Sequence, residues 1–151
     1  MRSAGISTDE QVEIVCTAAS RLGIPLRTTY ATAIETVHEA QQTILLMGYV
    51  FTVGTRAFIK QLAVARRDRA VHVTLIGNRR QDQVSTIRSM WLADSPPPPI
   101  FSRESSTGDD MAAMHAKLVI CDNSVALITS ANFSHHGLHE NIEEGFCRDS
   151  L

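Results

Sequence analysis

The 151-residue chain is 44% hydrophobic and 20% charged, with a formal net charge of −2 at pH 7, which excludes a disordered or fibrous protein and one that binds polyanions by bulk charge alone. No stretch approaches the roughly 18 consecutive apolar residues of a membrane span, so no transmembrane segment is expected. The opening MRSAGISTDEQVE lacks the apolar run of a secretory signal, and three scattered cysteines (Cys16, Cys121, Cys147) without a CxxC pair read as buried, reduced thiols of a cytoplasmic protein.

Thr8 and Gln11 stand at capping-box spacing, and Val12, Val15, Ala19 and Leu22 recur on one face. This pattern predicts a first helix over 8–22, ended by Gly23 and Pro25. A second helix is expected over 29–42, with Tyr30, Ile34 and Val37 inward, so that 1–42 forms an N-terminal helical segment. Thr43 to Val53 is apolar without helical period and reads as a buried strand. Arg56 to Arg67 is amphipathic, with Phe58, Ile59, Leu62 and Ala63 on the apolar side. Val71 to Ile76 reads as a strand closed by Gly77-Asn78, and a helix is expected over 81–92. The strand–helix alternation of 43–94 argues for an α/β fold, a mixed β-sheet flanked by helices on both faces. Pro96 to Pro99 opens a Pro-rich loop over 95–113, with a short edge strand at Ile100–Ser102. A motif hairpin and a final strand occupy 114–148, completing a single domain over 1–151.

Charge is unevenly spread. Arg56, Lys60, Arg66, Arg67, Arg69, Arg79 and Arg80 face a lone Asp68, a local charge of +6. Such a block suits a phosphate backbone, with Arg56, Lys60, Arg66, Arg67, Arg79 and Arg80 as candidate nucleic-acid contacts, and equally suits a solvated helix face.

The chemistry concentrates between Met114 and Asn132. Side chains repeat every two residues along a strand, so His115 and Lys117 share a face. Asp122-Asn123-Ser124 is a turn signal, after which Val125 to Ser130 should return antiparallel and bring Ser130 and Asn132 back towards His115 and Lys117. Asp122 falls at the turn, off the His/Lys face, and is expected to be structural.

These residues resemble the HxKxxxxDxxxxxxGSxN signature of the phospholipase D superfamily, with His115, Lys117, Asp122, Ser130 and Asn132 at the family spacing. Five such identities would coincide by chance in about 10⁻⁵ to 10⁻⁴ of chains this long. Thr129 stands where the family usually has Gly, which bears on local backbone approach. Glu143 holds the place of the family's downstream carboxylate, which commonly orients the catalytic histidine. The resemblance implies phosphodiester cleavage without metal or other cofactor, through a covalent phosphohistidine. Its small size and single motif look most like the small dimeric bacterial endonucleases of the superfamily. A homodimer bringing two copies of His115 together is then the simplest source of the second imidazole.

Other readings stay open. The chain could act on a lipid or small-molecule phosphodiester, or be a nucleic-acid-binding subunit of a restriction or anti-phage assembly. His135, His139 and Glu143, at i, i+4 and i+8, would present three zinc ligands on an unbroken helix. Gly137 interrupts that helix, so no metal site is expected, and His135 and His136 read as rim or solvent-facing residues.

Overall fold

The computed structural model describes residues 11–78, 81–102 and 114–149. Strand β1 (Val12–Cys16) leads into a one-turn helix α1 (Ala19–Leu22), then α2 (Thr29–Glu39), β2 (Thr43–Gly48), a 3₁₀ turn (Val53–Thr55), α3 (Arg56–Arg69), β3 (His72–Gly77), α4 (Gln81–Met90) and the short β4 (Ile100–Ser102). Strands β5 (Leu118–Cys121) and β6 (Val125–Thr129) form the hairpin, followed by a π-helical turn (His136–Glu140) and β7 (Glu144–Asp149). The seven strands make one mixed sheet in the order β1-β7-β6-β5-β2-β3-β4, with β2-β3-β4 parallel and the remaining pairs antiparallel.

The helix expected over 8–22 is corrected by β1, while residues 8–10 lie outside the described residues. Val12, Ile14 and Val15 satisfy a helical face and a strand equally well. What decides is pairing with β7, in which Ile14 sits opposite Phe146. Cross-strand apolar pairs of this kind override a weak helical propensity. Gly23, at φ +64°, closes α1 in the left-handed conformation. Thr28 caps α2, its hydroxyl accepting from Ala31 N at 3.2 Å.

One face of the sheet carries the core. Ile44 and Leu46 of β2, Val73 and Leu75 of β3, Val119 of β5 and Leu127 of β6 are buried there. Against them pack Val37 of α2, Phe58, Ile59 and Leu62 of α3, and Ile87 and Met90 of α4. The parallel strands advance β2 to β3 to β4 without reversing, so right-handed crossovers place α3 and α4 on the same side. The α/β class and mixed sheet are therefore as expected, while the helices among the described residues gather on one face rather than two. The opposite face presents an apolar row across all seven strands: Ile14, Phe146, Ile128, Leu118, Met47, Ile76 and Phe101. Of these, Ile14, Phe146, Ile128 and Phe101 are each more than half exposed.

Candidate active site

The hairpin places the motif at the end of the sheet where β2 finishes and β5 starts. Leu118 pairs with Met47 of β2 on one side and Ile128 of β6 on the other. Thr129 N donates to Lys117 O at 3.0 Å, extending the ladder back towards His115. His115 and Lys117 thus stand two residues apart in an extended segment just before β5, level with the residues that leave β6. The carboxyl ends of parallel strands are where α/β sheets open a crevice for ligands.

His115 is exposed, and its imidazole stacks on the ring of Tyr49, the first residue after β2, with centroids 4.3 Å apart and planes at 18°. The Lys117 ammonium lies 5.5 Å from the centre of the same ring and donates to the His115 carbonyl at 2.8 Å. Tyr49 was not legible as a site residue, because it sits inside an apolar run that reads as strand. Its position one step past a parallel strand is the signal that could have exposed it.

Asn132 is pinned from behind. Its neighbours Ala131 and Phe133 are buried, and Phe133 stacks between Phe51 and Phe58 at 5.2 and 5.7 Å. Thr52 N donates to Phe133 O at 3.0 Å, fastening the segment to the chain leaving β2. A side chain on Gly137 would come 2.3 Å from Asn132 O, so only glycine lets the π-helical turn press this closely on the motif. The Asn132 Oδ1 is buried without a hydrogen-bond partner among the described residues. Such an orphaned acceptor costs about 1–3 kcal/mol.

Ser130 and Glu143 face each other across β6 and β7. Ser130 Oγ donates to Glu143 Oε2 at 2.5 Å and accepts from Glu144 N at 3.2 Å, while Asn141 Nδ2 donates to Glu143 Oε1 at 3.2 Å. The Glu143 carboxylate is therefore held by Ser130 and Asn141, and no hydrogen bond joins it to His115 of its own chain among the described residues. Thr129 fits without strain. It pairs with Gly145 of β7, and a Cβ added at Gly145 would lie 3.0 Å from the Thr129 side chain. The missing side chain has moved across the ladder: Gly145 provides the close approach. Thr129 Oγ1 also donates to Glu144 O at 3.1 Å and accepts from Ala131 N at 3.0 Å.

Asp122 lies at the far end of the hairpin, where it accepts from Gln41 N, Gln42 N and Thr43 N at 2.7, 2.8 and 2.8 Å. Burial alone would raise its pKa, but the backbone donors of Gln41, Thr43 and Gln42 outweigh it and hold the carboxyl below its ordinary value. Asp122 and Asn123 both adopt positive φ (54° and 52°), a conformation their short polar side chains tolerate better than most.

The remaining candidates separate. The helical turn stops at Glu140 and the chain then extends, so Glu143 does not share a helix with His135 and His139. Glu140 engages His136 at 2.5 Å and His135 at 3.3 Å, and His139 packs on Tyr30 at 4.4 Å, where burial lowers its pKa. Among the described residues no group of three or more such side chains is arranged to hold a metal ion. Helix α3 spans about 20 Å at 1.5 Å per residue, and its basic residues are spread along it. Arg56 lies at the near end, where Nη1 donates to Ser89 O at 3.1 Å. At the far end, Arg67 is tied to Asp68 and Asp94 at 2.6 and 2.8 Å. Arg79 and Arg80 lie outside the described residues. A cavity of about 610 Å³ lies away from the motif, lined by Glu13, Glu35, Glu39 and Asp149 with a single Arg27, a charge balance unsuited to a phosphate. All three cysteines are free and buried, and burial pushes the Cys121 thiol up to about 12.

Residues 33–150 match the family described as "Cardiolipin synthase, PLD-like domain". The DISARM protein DrmC of Bacillus paralicheniformis is 31% identical over 140 residues, covering 89% of this chain and 55% of that protein, so the chain spans about half the length of this relative. Among solved structures, the phospholipase D family member Nuc from Salmonella typhimurium superimposes with a TM-score of 0.70 at 21% identity, covering 95% of this chain and 85% of that one. NucT from Helicobacter pylori gives 0.71 at 17% identity, covering 93% and 86%. The phosphatidylserine synthase of Haemophilus influenzae Rd KW20 gives 0.67 at 13% identity, covering 93% and 34%. The chain belongs to the phospholipase D-like family, a superfamily of phosphodiesterase hydrolases, and its sheet carries that family's fold.

Proposed function

We propose that the chain cleaves nucleic-acid phosphodiesters as an endonuclease, through a covalent phosphohistidine on His115 at a site shared by two protomers. The observation that carries the reading is the convergence at one end of the sheet. An exposed imidazole and the Lys117 ammonium meet on the Tyr49 ring, and the segment carrying Asn132 is fastened to the chain leaving β2 through Thr52 N and Phe133 O.

A neutral imidazole nitrogen of His115 attacks phosphorus. The P–N bond forms, the bridging P–O bond breaks, and the departing oxygen takes a proton from the imidazolium of the partner's His115. That imidazole, now neutral, deprotonates a water, which attacks phosphorus, breaks the P–N bond and restores both rings. Lys117 and Asn132 stabilise charge on the equatorial oxygens. Each chain carries one such histidine, so the second proton carrier comes from a two-fold partner. Glu143 is engaged within its own chain by Ser130 and Asn141, and its orienting role is assigned to an imidazole brought within reach by the dimer. Rate should then follow a bell-shaped pH profile that belongs to the imidazole pair.

The test is incubation of the purified protein with plasmid DNA in EDTA, wild type beside His115→Asn. Cleavage by the wild type and none by the variant is expected; cleavage by His115→Asn would overturn the assignment. The 31% identity to a DISARM protein supports a second reading, in which the chain serves as a nucleic-acid-binding subunit of a defence assembly. That reading predicts salt-dependent DNA binding with no phosphohistidine formed.

A further inference from the structure

We propose that Tyr49 is the positioning residue of the site, an aromatic platform that orients the His115 imidazole and seats the Lys117 ammonium. The inference rests on the reading of His115 as the nucleophile. Three observations meet on one ring. The imidazole lies nearly parallel to the phenol ring, 4.3 Å away and tilted by 18°. The Lys117 Nζ stands 5.5 Å from the same centroid. Lys117 also donates to the His115 carbonyl at 2.8 Å, closing a ring of contacts among the three residues.

The geometry matters because His115 is exposed and its side chain has no hydrogen bond to another described residue. An imidazole in that position would otherwise exchange among rotamers, and each attack on phosphorus would first have to freeze one of them. Stacking covers one π-face and leaves both nitrogens free at the ring edge, which is where attack on phosphorus and donation to a carboxylate take place. The Tyr49 ring also attracts the Lys117 ammonium, so the charge that stabilises the phosphoryl oxygens is held beside the nucleophile. Tyr49 can perform this task because it directly follows β2. Gly48 is closely covered by Phe51 and Phe133, a Cβ there meeting their rings at 2.5 and 2.6 Å, so the backbone that aims Tyr49 is fixed against the aromatic core. The phenol hydroxyl makes no hydrogen bond among the described residues. The ring is therefore the working part, not the oxygen.

The experiment compares wild type with Tyr49→Phe, Tyr49→Leu and Tyr49→Met in steady-state hydrolysis of bis-p-nitrophenyl phosphate, with His115→Asn in the same assay. An oriented aromatic pair together with a cation–π contact corresponds to roughly a 10- to 30-fold effect. Tyr49→Leu and Tyr49→Met should lower kcat by about that factor, with KM within about two-fold of wild type, and Tyr49→Phe should keep at least a third of wild-type kcat. Proton NMR supplies a readout independent of turnover. The ring current of Tyr49 should shift the His115 ring protons upfield in wild type and Tyr49→Phe, and the shift should vanish in Tyr49→Leu. The proposal is overturned by full activity in Tyr49→Leu, by Tyr49→Phe as impaired as Tyr49→Leu, or by an absent ring-current shift in wild type. Hydrolysis by His115→Asn would sink the nucleophile reading instead, so the two failures are separable.

Discussion

The two ends of the β5–β6 hairpin are built from the same motif and are treated in opposite ways. At the turn, the Asp122 carboxylate accepts three backbone N–H groups and has little capacity left for anything else. Seven residues before it His115 rests on a ring without a side-chain hydrogen bond among the described residues, and ten residues after it Asn132 keeps a buried oxygen unpaired among them. A polar group whose lone pairs are all satisfied stabilises a fold and is inert towards a ligand. A polar group held in place and left exposed, as the His115 imidazole is, stays open to a ligand. The spacing of the motif is thus the length of one hairpin, with its anchor at one end and the proposed reacting groups at the other.

The contrast is sharpest when each end is cut separately. Replacing His115 by Asn should lower phosphodiester cleavage by at least about 10³-fold while changing unfolding free energy by under about 1 kcal/mol, read by urea denaturation beside the plasmid assay. Replacing Asp122 by Ala should do the reverse in kind. It strands the N–H groups of Gln41, Gln42 and Thr43 and should cost about 2–3 kcal/mol, with residual activity that follows the folded fraction. An Asp122→Ala protein as stable as wild type would break the comparison.

Acid sharpens it further. The folded carboxyl of Asp122 has its pKa below the unfolded value of about 3.9, so its stabilisation is fully present above that value and is lost as pH falls through the folded pKa. The stability gap between wild type and Asp122→Asn should be constant above about pH 5 and close progressively below about pH 4. A gap that widens in acid would contradict the role given to these three bonds. The smallest effect is expected at the neighbouring residue. Asn123 holds φ at 52°, so Asn123→Gly should relieve left-handed strain and raise stability by about 0.5 kcal/mol or less, leaving kcat unchanged.

The residues of the candidate site were legible in the sequence to unequal degrees. His115, Lys117, Ser130 and Asn132 were legible because their identities and spacing are local, and strand alternation with a turn signal is enough to fold them back on one another. Tyr49 was not legible, since its role exists only once β5 lies antiparallel to β2 and Leu118 pairs with Met47. The basic run from Arg56 onward looked continuous in sequence. A helix of about 20 Å separates its ends, and Arg67 is taken up by Asp68 and Asp94, the second of which lies far along the chain. The substitution at Thr129 is explained by Gly145, a residue of another strand.

Sequence alone determined the α/β class, the strand–helix alternation between Thr43 and Met90, the hairpin and the motif it carries, because periodicity, turn chemistry and residue spacing are properties of neighbours along the chain. It could not decide β1, whose Val12, Ile14 and Val15 suit helix and strand alike, nor that the described helices gather on one face of the sheet, nor the seat of the His115 ring. Those depend on contacts between segments more than a hundred residues apart in the case of β1 and β7, and on the direction in which the parallel strands advance. Such contacts have energies only after the chain has closed on itself.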